Sequence, residues 1–102
     1  MDRTAQLKEI LDLDPNNAFA RYGLAMEYSN AGATEPALVE FTSLVTAHPD
    51  YAAGYFMAAQ MLARVSRAEE ARQWLSDGIA AATRTGNVHA KGEMEVLLAD
   101  LG

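Results

Sequence analysis

The chain has 102 residues, half of them apolar, which is enough for one small domain that buries about two-thirds of its unfolded surface. Its formal net charge is -6 and its eight basic residues form no run or stripe, so the sequence predicts no binding to nucleic acid. It contains no cysteine, which excludes disulfides and thiolate chemistry and fits a reducing compartment.

The sequence contains no segment typical of export or membrane insertion. The stretch from Met1 to Asp14 carries a charge every few residues and therefore lacks the apolar segment of a secretory signal. The longest uncharged run, from Tyr51 to Ala63, is well short of the roughly 20 residues that a membrane-spanning helix needs. We therefore expect a cytoplasmic protein with no membrane partner.

Similar residues recur along the chain at a period of 34 residues. Pro15 and Pro49 stand one period apart. Further matched pairs are Ala18 and Ala52, Tyr22 and Phe56, Ala25 and Ala59, Ala37 and Ala71, and Phe41 and Leu75. The first residues of the chain match the second half of a period, because Leu7 aligns with Phe41 and Ile10 with Leu44. A fixed period of this length indicates stacked helical units.

The first period predicts two helices. Abundant alanine and few β-branched runs favour helices over strands throughout the chain. A helix from about Ala18 to Asn30 follows an asparagine cap and ends before Gly32. A second helix from about Thr34 to Ala47 accommodates Pro36 in its first turn and ends before Pro49.

The rest of the chain predicts three more helices. Asp50 is expected to cap a helix that ends near Arg64. The segment Ser66–Glu69 matches a capping box and predicts a helix that continues to about Thr83. A last helix is expected after Asn87, with apolar residues on one face at spacings of three and four. These residues are Ala90, Met94, Leu97, Leu98 and Leu101.

These features resemble the tetratricopeptide repeat family, which has the same period. The resemblance covers about Leu7 to Thr83 and rests on apolar residues at matching positions, a turn glycine and two closing prolines. They are Leu24, Ala25, Tyr28, Gly32, Ala37, Phe41, Ala58, Ala59, Leu62, Ala71, Leu75, Pro15 and Pro49. The sequence departs from the family pattern at Arg21, in place of a large aromatic residue, at Ser66, in place of the turn glycine, and at Thr83, in place of the closing proline.

The resemblance implies an all-α, right-handed helix-pair solenoid formed by a single domain of residues 1–102. Its expected parts are a half-repeat helix at 2–14, full repeats at 15–48 and 49–83, and a capping helix at 87–101. Small residues allow antiparallel helices to approach to about 8 Å. One unit alone would leave an apolar face in water, so we expect neighbouring units to stack.

The resemblance also implies a concave groove lined by the first helix of each repeat, which would bind a protein or peptide. Rotation by about 100° per residue gives the expected groove residues: Phe19, Tyr22, Met26, Phe56, Gln60 and Arg64. Exposed aromatic and methionine side chains are typical of binding surfaces. Two other interpretations stay open. In the first, the flanking helices cover these residues, which then belong to the core. In the second, the chain self-associates through an apolar face of its first or last helix.

A subset of the family binds the terminal carboxylate of a chaperone tail through Lys, Arg and Asn in this groove. The groove positions here hold Tyr22, Met26, Phe56 and Gln60, so we expect no ligand of that kind.

The sequence indicates no catalytic chemistry. The segment Gly86–Gly92 lacks the spacing of a phosphate loop, and the chain has no nucleophile elbow. His89 and Glu93 provide only two potential metal ligands, a pattern more typical of an ion pair. We therefore expect no enzymatic activity, no cofactor and no metal. Trp74 is expected to pack within the structure, and His48 to take the place that Asp14 has one period earlier.

Overall fold

The computed structural model describes residues 2–102, and this part of the chain contains six α-helices and no β-strand. The helices are α1 (Arg3–Leu13), α2 (Ala18–Asn30), α3 (Thr34–Ala47), α4 (Ala52–Arg64), α5 (Ala68–Thr85) and α6 (Val88–Asp100). The chain divides into two compact units: the first ends at His48 and contains α1 to α3, and the second runs from Pro49 to Gly102. None of the helices described is long and apolar enough to cross a membrane.

The bounds of α2 and α3 confirm those predicted from the sequence. Asn17 caps α2, its side-chain oxygen accepting a hydrogen bond from the backbone N–H of Ala20 at 2.9 Å. Gly32 follows α2 with a φ of 77°, the left-handed conformation that glycine adopts without strain. His48 ends α3 as Asp14 ends α1, with similar backbone angles, and this confirms the predicted equivalence of the two positions.

The predicted cap of α4 is wrong. The helix begins at Ala52 after Tyr51, and no side chain caps it. The carboxylate of Asp50 instead accepts a hydrogen bond from Nε of Arg84 at 3.1 Å. Arg84 reaches this position because α5 continues to Thr85, beyond the end predicted at Thr83. A contact between residues far apart in sequence therefore outweighs the local capping preference.

The predicted capping box at Ser66–Glu69 is also wrong. The helix α5 begins at Ala68, and its cap residue Arg67 makes no side-chain capping bond. Ser66 has a φ of 64° and takes the left-handed conformation that Gly32 takes one period earlier. The next residue, Arg67, donates its backbone N–H to the carbonyl of Leu62 at 2.9 Å, which closes the end of α4. Ser66 therefore ends one helix instead of starting the next.

The core of the first unit holds α1 against α2. The buried residues Leu7, Leu11, Ala20 and Leu24 form one cluster, and Tyr28 packs against it. Gly23 on α2 allows this approach, because a Cβ atom at that position would lie 3.2 Å from Cδ2 of Leu7. The side of α2 that carries Ala20 and Leu24 is thus covered by α1.

In the second unit, α4, α5 and α6 all contact one another. Gly78 on α5 lies at their junction, where a Cβ atom would come within 2.5 Å of Sδ of Met94 and 2.6 Å of Cβ of Tyr55. Met94 is fully buried. The absence of a side chain at position 78 therefore lets α6 pack closely on the other two helices.

Candidate functional site

One candidate binding face lies on α2, on a side that α1 does not cover. Phe19, Tyr22 and Met26, here termed the α2 face, lie together on this side of the helix. Phe19 is 70% exposed, and Tyr22 and Met26 are half-buried. The first unit therefore brings together the three residues that the sequence predicts for its part of the site and leaves none of them fully buried.

A second candidate face lies on α4. Phe56, Gln60 and Arg64, here termed the α4 face, are spaced four residues apart and share one side of the helix. Phe56 and Gln60 are half-buried and Arg64 is exposed. The other side of α4 is buried in the core of the second unit through Tyr55, Ala58, Ala59 and Leu62. The α4 face is thus the side of this helix that the core leaves accessible.

A cavity of about 190 Å³ adjoins Phe56 in the second unit. Its lining comes from the start of α4 and the start of α6: Ala52, Ala53, Phe56, Asn87, His89, Ala90 and Glu93. Sequence reasoning did not find the contribution of α6 to this cavity. The apolar spacing of α6 predicted that the helix packs, but the helix that it packs against depends on contacts distant in sequence.

The polar residues of this cavity are held by contacts at the start of α6. Asn87 caps the helix by accepting a hydrogen bond from the backbone N–H of Ala90 at 3.1 Å. Nε2 of His89 lies 3.3 Å from Oε1 of Glu93, the ion-pair geometry expected from their spacing, with a charge on His89 only when it is protonated. Within residues 2–102 no group of three or more His, Cys, Asp or Glu side chains could hold a metal ion.

Equivalent hydrogen bonds position the two helices that carry these faces. Nη2 of Arg21 donates to the carbonyl of Pro15 at 2.9 Å, and the hydroxyl of Tyr55 donates to the carbonyl of Pro49 at 2.7 Å. Arg21 and Tyr55 stand one period apart, as do the two prolines. Each bond ties the first helix of a pair to the turn before it. The departure from the family pattern at Arg21 therefore preserves this link.

The aromatic contact of Tyr55 confirms that Trp74 packs within the structure. The two rings have centroids 6.1 Å apart and planes inclined at 59°, and Trp74 is half-buried. Burial raises the pKa of the Tyr55 hydroxyl above its ordinary value, with Asp77 and Asp50 acting in the same direction and Arg84 against it. The neutral hydroxyl is thus the form that donates to the carbonyl of Pro49.

Helix pairs that recur every 34 residues define this chain as a helical-repeat protein. No family model matches it. The chain is 32% identical over 95 residues to a TPR repeat-containing protein of Pseudomonas aeruginosa, an alignment that covers 93% of this chain and 90% of the relative. By this likeness the chain belongs to the tetratricopeptide repeat family.

Solved structures agree with this assignment. The crystal structure of a tetratricopeptide repeat domain protein from Salinibacter ruber is 27% identical, with a TM-score of 0.73, and covers 83% of this chain and 94% of its own. A solution structure of a protein from Bordetella parapertussis has a TM-score of 0.83 over 99% of this chain and 88% of its own, and its 24% identity supports the fold alone. The fold class is the all-α helix-pair solenoid, which is generally a non-enzymatic fold for binding proteins.

Proposed function

We propose that the chain is a non-enzymatic interaction module that binds a peptide or helix of a partner protein through the α2 face and the α4 face. The observation that carries this proposal is the exposure of Phe19, which is 70% exposed on the same helix that contributes Ala20 and Leu24 to the core. Exposed aromatic side chains supply large contact areas at low entropic cost and are enriched at protein interfaces.

The chemistry of the two faces defines the kind of segment that fits them. The rings of Phe19, Tyr22 and Phe56 and the thioether of Met26 favour apolar side chains spaced along an extended or helical peptide. The cavity beside Phe56 has room for one aliphatic side chain of such a peptide. Gln60 and Arg64, at the other end of the α4 face, would orient the peptide through its carbonyl or carboxylate groups.

The proposal is tested with peptides selected from a random displayed library against the wild-type chain. Calorimetry then compares wild type with the Tyr22→Ala/Phe56→Ala double variant, for which we expect at least about a tenfold loss of affinity. Val39→Ala is the matched control, because Val39 is an exposed apolar residue on α3. Binding that the double variant retains in full would contradict the proposal.

The melting temperature separates this function from a purely structural role. Phe19 is exposed and Phe56 is half-buried, so replacing either by alanine should lower the melting temperature by only a few degrees. Replacing a core phenylalanine by alanine instead costs about 3–5 kcal/mol of stability. A loss of that size in Phe56→Ala would place the residue in the core.

Self-association is a second candidate function, and the exposure of α1 favours it. Leu13 is 90% exposed and Ile10 is 41% exposed. Light scattering over a range of concentrations separates the two candidates, because a chain that stays monomeric supports peptide binding alone.

A further inference from the structure

In the 34-residue alignment, α1 and α6 match different members of a helix pair. Ile10 on α1 stands one period before Leu44, so α1 corresponds to the second helix of a pair. Val96 on α6 stands one period after Leu62, so α6 corresponds to the first helix. Leu44 and Leu62 are buried, whereas Ile10 is 41% exposed and Val96 is 63% exposed. Positions that complete pairs bury are therefore exposed on α1 and α6.

The complete pairs show which positions face each other. Arg21 on α2 pairs with Glu40 on α3 at 2.8 Å, and the aromatic pair of the second unit occupies the same two positions one period later. The same two positions are held by His89 on α6, which corresponds to a first helix, and by Gln6 on α1, which corresponds to a second helix. If α6 of one copy docked on α1 of another in this register, the two helices would form a pair of the same kind.

Opposite charges lie one helical turn from His89 on α6 and from Gln6 on α1. In the first unit these positions hold Ala25 and Ala37, which are both fully buried. Their equivalents are Glu93 on α6 and Arg3 on α1, which are both exposed. An acidic group on one face would thus meet a basic group on the other. Because both side chains are long, the docked axes would lie near the upper end of the usual range of about 8–10 Å.

Both charges already have partners within their own units, and both of these contacts are accessible to solvent. Nε of Arg3 lies 2.9 Å from Oε1 of Glu27, and Glu93 lies beside His89. Ion pairs at exposed positions contribute little to stability, so giving up these partners costs little. The new pair between Arg3 and Glu93 must then offset the cost of removing both charges from water.

We propose that copies of this chain associate head to tail, with α6 of one copy docked on α1 of the next. The contact buries Ile10 and Val96, and the attraction between Arg3 and Glu93 sets its register. A second copy is the occupant that fits. Its α6 supplies the first helix of a pair and the acidic Glu93, and α1 supplies the second helix and the basic Arg3. This proposal gives the self-association candidate its surfaces, and it does not rest on peptide binding by the α2 and α4 faces.

The contact is heterologous, so association forms rings or open chains instead of stopping at a two-fold dimer. One helix pair is a small interface, and we expect weak association that is detectable above about 100 µM. Sedimentation of the whole chain should therefore give a mean mass that rises with concentration.

Charge reversal provides the decisive test. Arg3→Glu places like charges across the contact, and so does Glu93→Arg, so each variant alone should associate at least about tenfold more weakly than wild type. In an equimolar mixture of the two variants, every contact between unlike copies again joins opposite charges. The mixture should recover the association of wild type to within about threefold, as should the double variant.

Glu27→Gln is the control, since it removes the ion pair of Arg3 within the unit and should leave association unchanged. Circular dichroism establishes that each variant is folded. A wild-type chain that stays monomeric at about 1 mM would overturn the proposal. So would single variants that associate as wild type does, or a mixture that associates no better than its components.

Discussion

Arg21 and Glu40 form an ion pair at 2.8 Å where the second repeat has an aromatic contact between Tyr55 and Trp74. Both charged side chains are largely buried, at 24% and 15% exposure. Two different chemistries therefore join the first and second helices of a pair at one position of the repeat. The pairing explains how the chain tolerates arginine where its family has an aromatic residue, because the substitution is matched on the facing helix.

This relationship predicts that the two pairs can be exchanged. Glu40→Ala should lower the free energy of unfolding by about 1–3 kcal/mol, because it leaves the guanidinium of Arg21 with only the carbonyl of Pro15. The double variant Arg21→Tyr/Glu40→Trp should regain most of this loss, since apolar replacements of buried ion pairs are often neutral or stabilising. Urea unfolding measures both. A double variant less stable than Glu40→Ala would show that the two positions are not interchangeable.

The left-handed conformation of Ser66 predicts a stabilising substitution. This conformation costs a residue with a side chain about 1–2 kcal/mol of strain. Glycine avoids the strain, but its larger conformational entropy in the unfolded chain cancels part of the gain. Ser66→Gly should therefore raise the free energy of unfolding by up to about 1 kcal/mol. Gly32→Ser is the reciprocal control and should lower it by a similar amount. Thermal or urea unfolding that gives both changes the same sign would contradict this account.

The junction at Gly78 predicts opposite effects for two glycine substitutions. Gly78→Ala should destabilise the chain by about 1–3 kcal/mol, because the new methyl group meets Tyr55 and Met94. Gly92→Ala should stabilise it by up to about 1 kcal/mol, because position 92 lies within α6 and the added Cβ would meet nothing within 4 Å beyond its chain neighbours and the backbone of its own helix. Urea unfolding at low protein concentration measures both. A neutral Gly78→Ala would mean that α6 packs less closely than described.

The raised pKa of Tyr55 predicts a loss of stability in alkaline solution. Burial disfavours the phenolate in the folded chain, so the contribution of Tyr55 is fully present below its unfolded pKa of about 10. It is lost as the pH rises through the higher pKa of the folded state. Tyr55→Phe should be less stable at neutral pH by about 1 kcal/mol, because its bond to Pro49 is missing.

The same variant should also lose less stability than wild type as the pH rises above about 9. Urea unfolding as a function of pH compares the two slopes. Equal slopes would show that Tyr55 does not ionise differently in the folded and unfolded chain.

The sequence predicts those features that local chemistry decides. The asparagine cap and Gly32 define the ends of α2, and the period identifies its partner helix. The start of α5 was mispredicted because the segment at Ser66 satisfies the capping-box pattern, although its alignment with Gly32 pointed to a turn. Nothing local could show that Arg84 would hold Asp50, since that contact joins residues 34 apart.

For the candidate site, helical rotation groups the residues of each face, but it cannot give their exposure. The accessibility of Phe19 depends on where α1 packs, and the cavity beside Phe56 depends on α6. Both are consequences of tertiary packing between helices. That packing depends on close approaches such as Leu7 to Gly23, which hydrophobic periodicity does not reveal.

The most direct test of the proposed function is an amide NMR titration of the labelled chain with a peptide selected for binding. The account predicts that the largest shift changes fall on both faces, at and around Phe19, Tyr22 and Met26 on α2 and Phe56, Gln60 and Arg64 on α4. Changes confined to α3 and α5, with both faces unaffected, would contradict it.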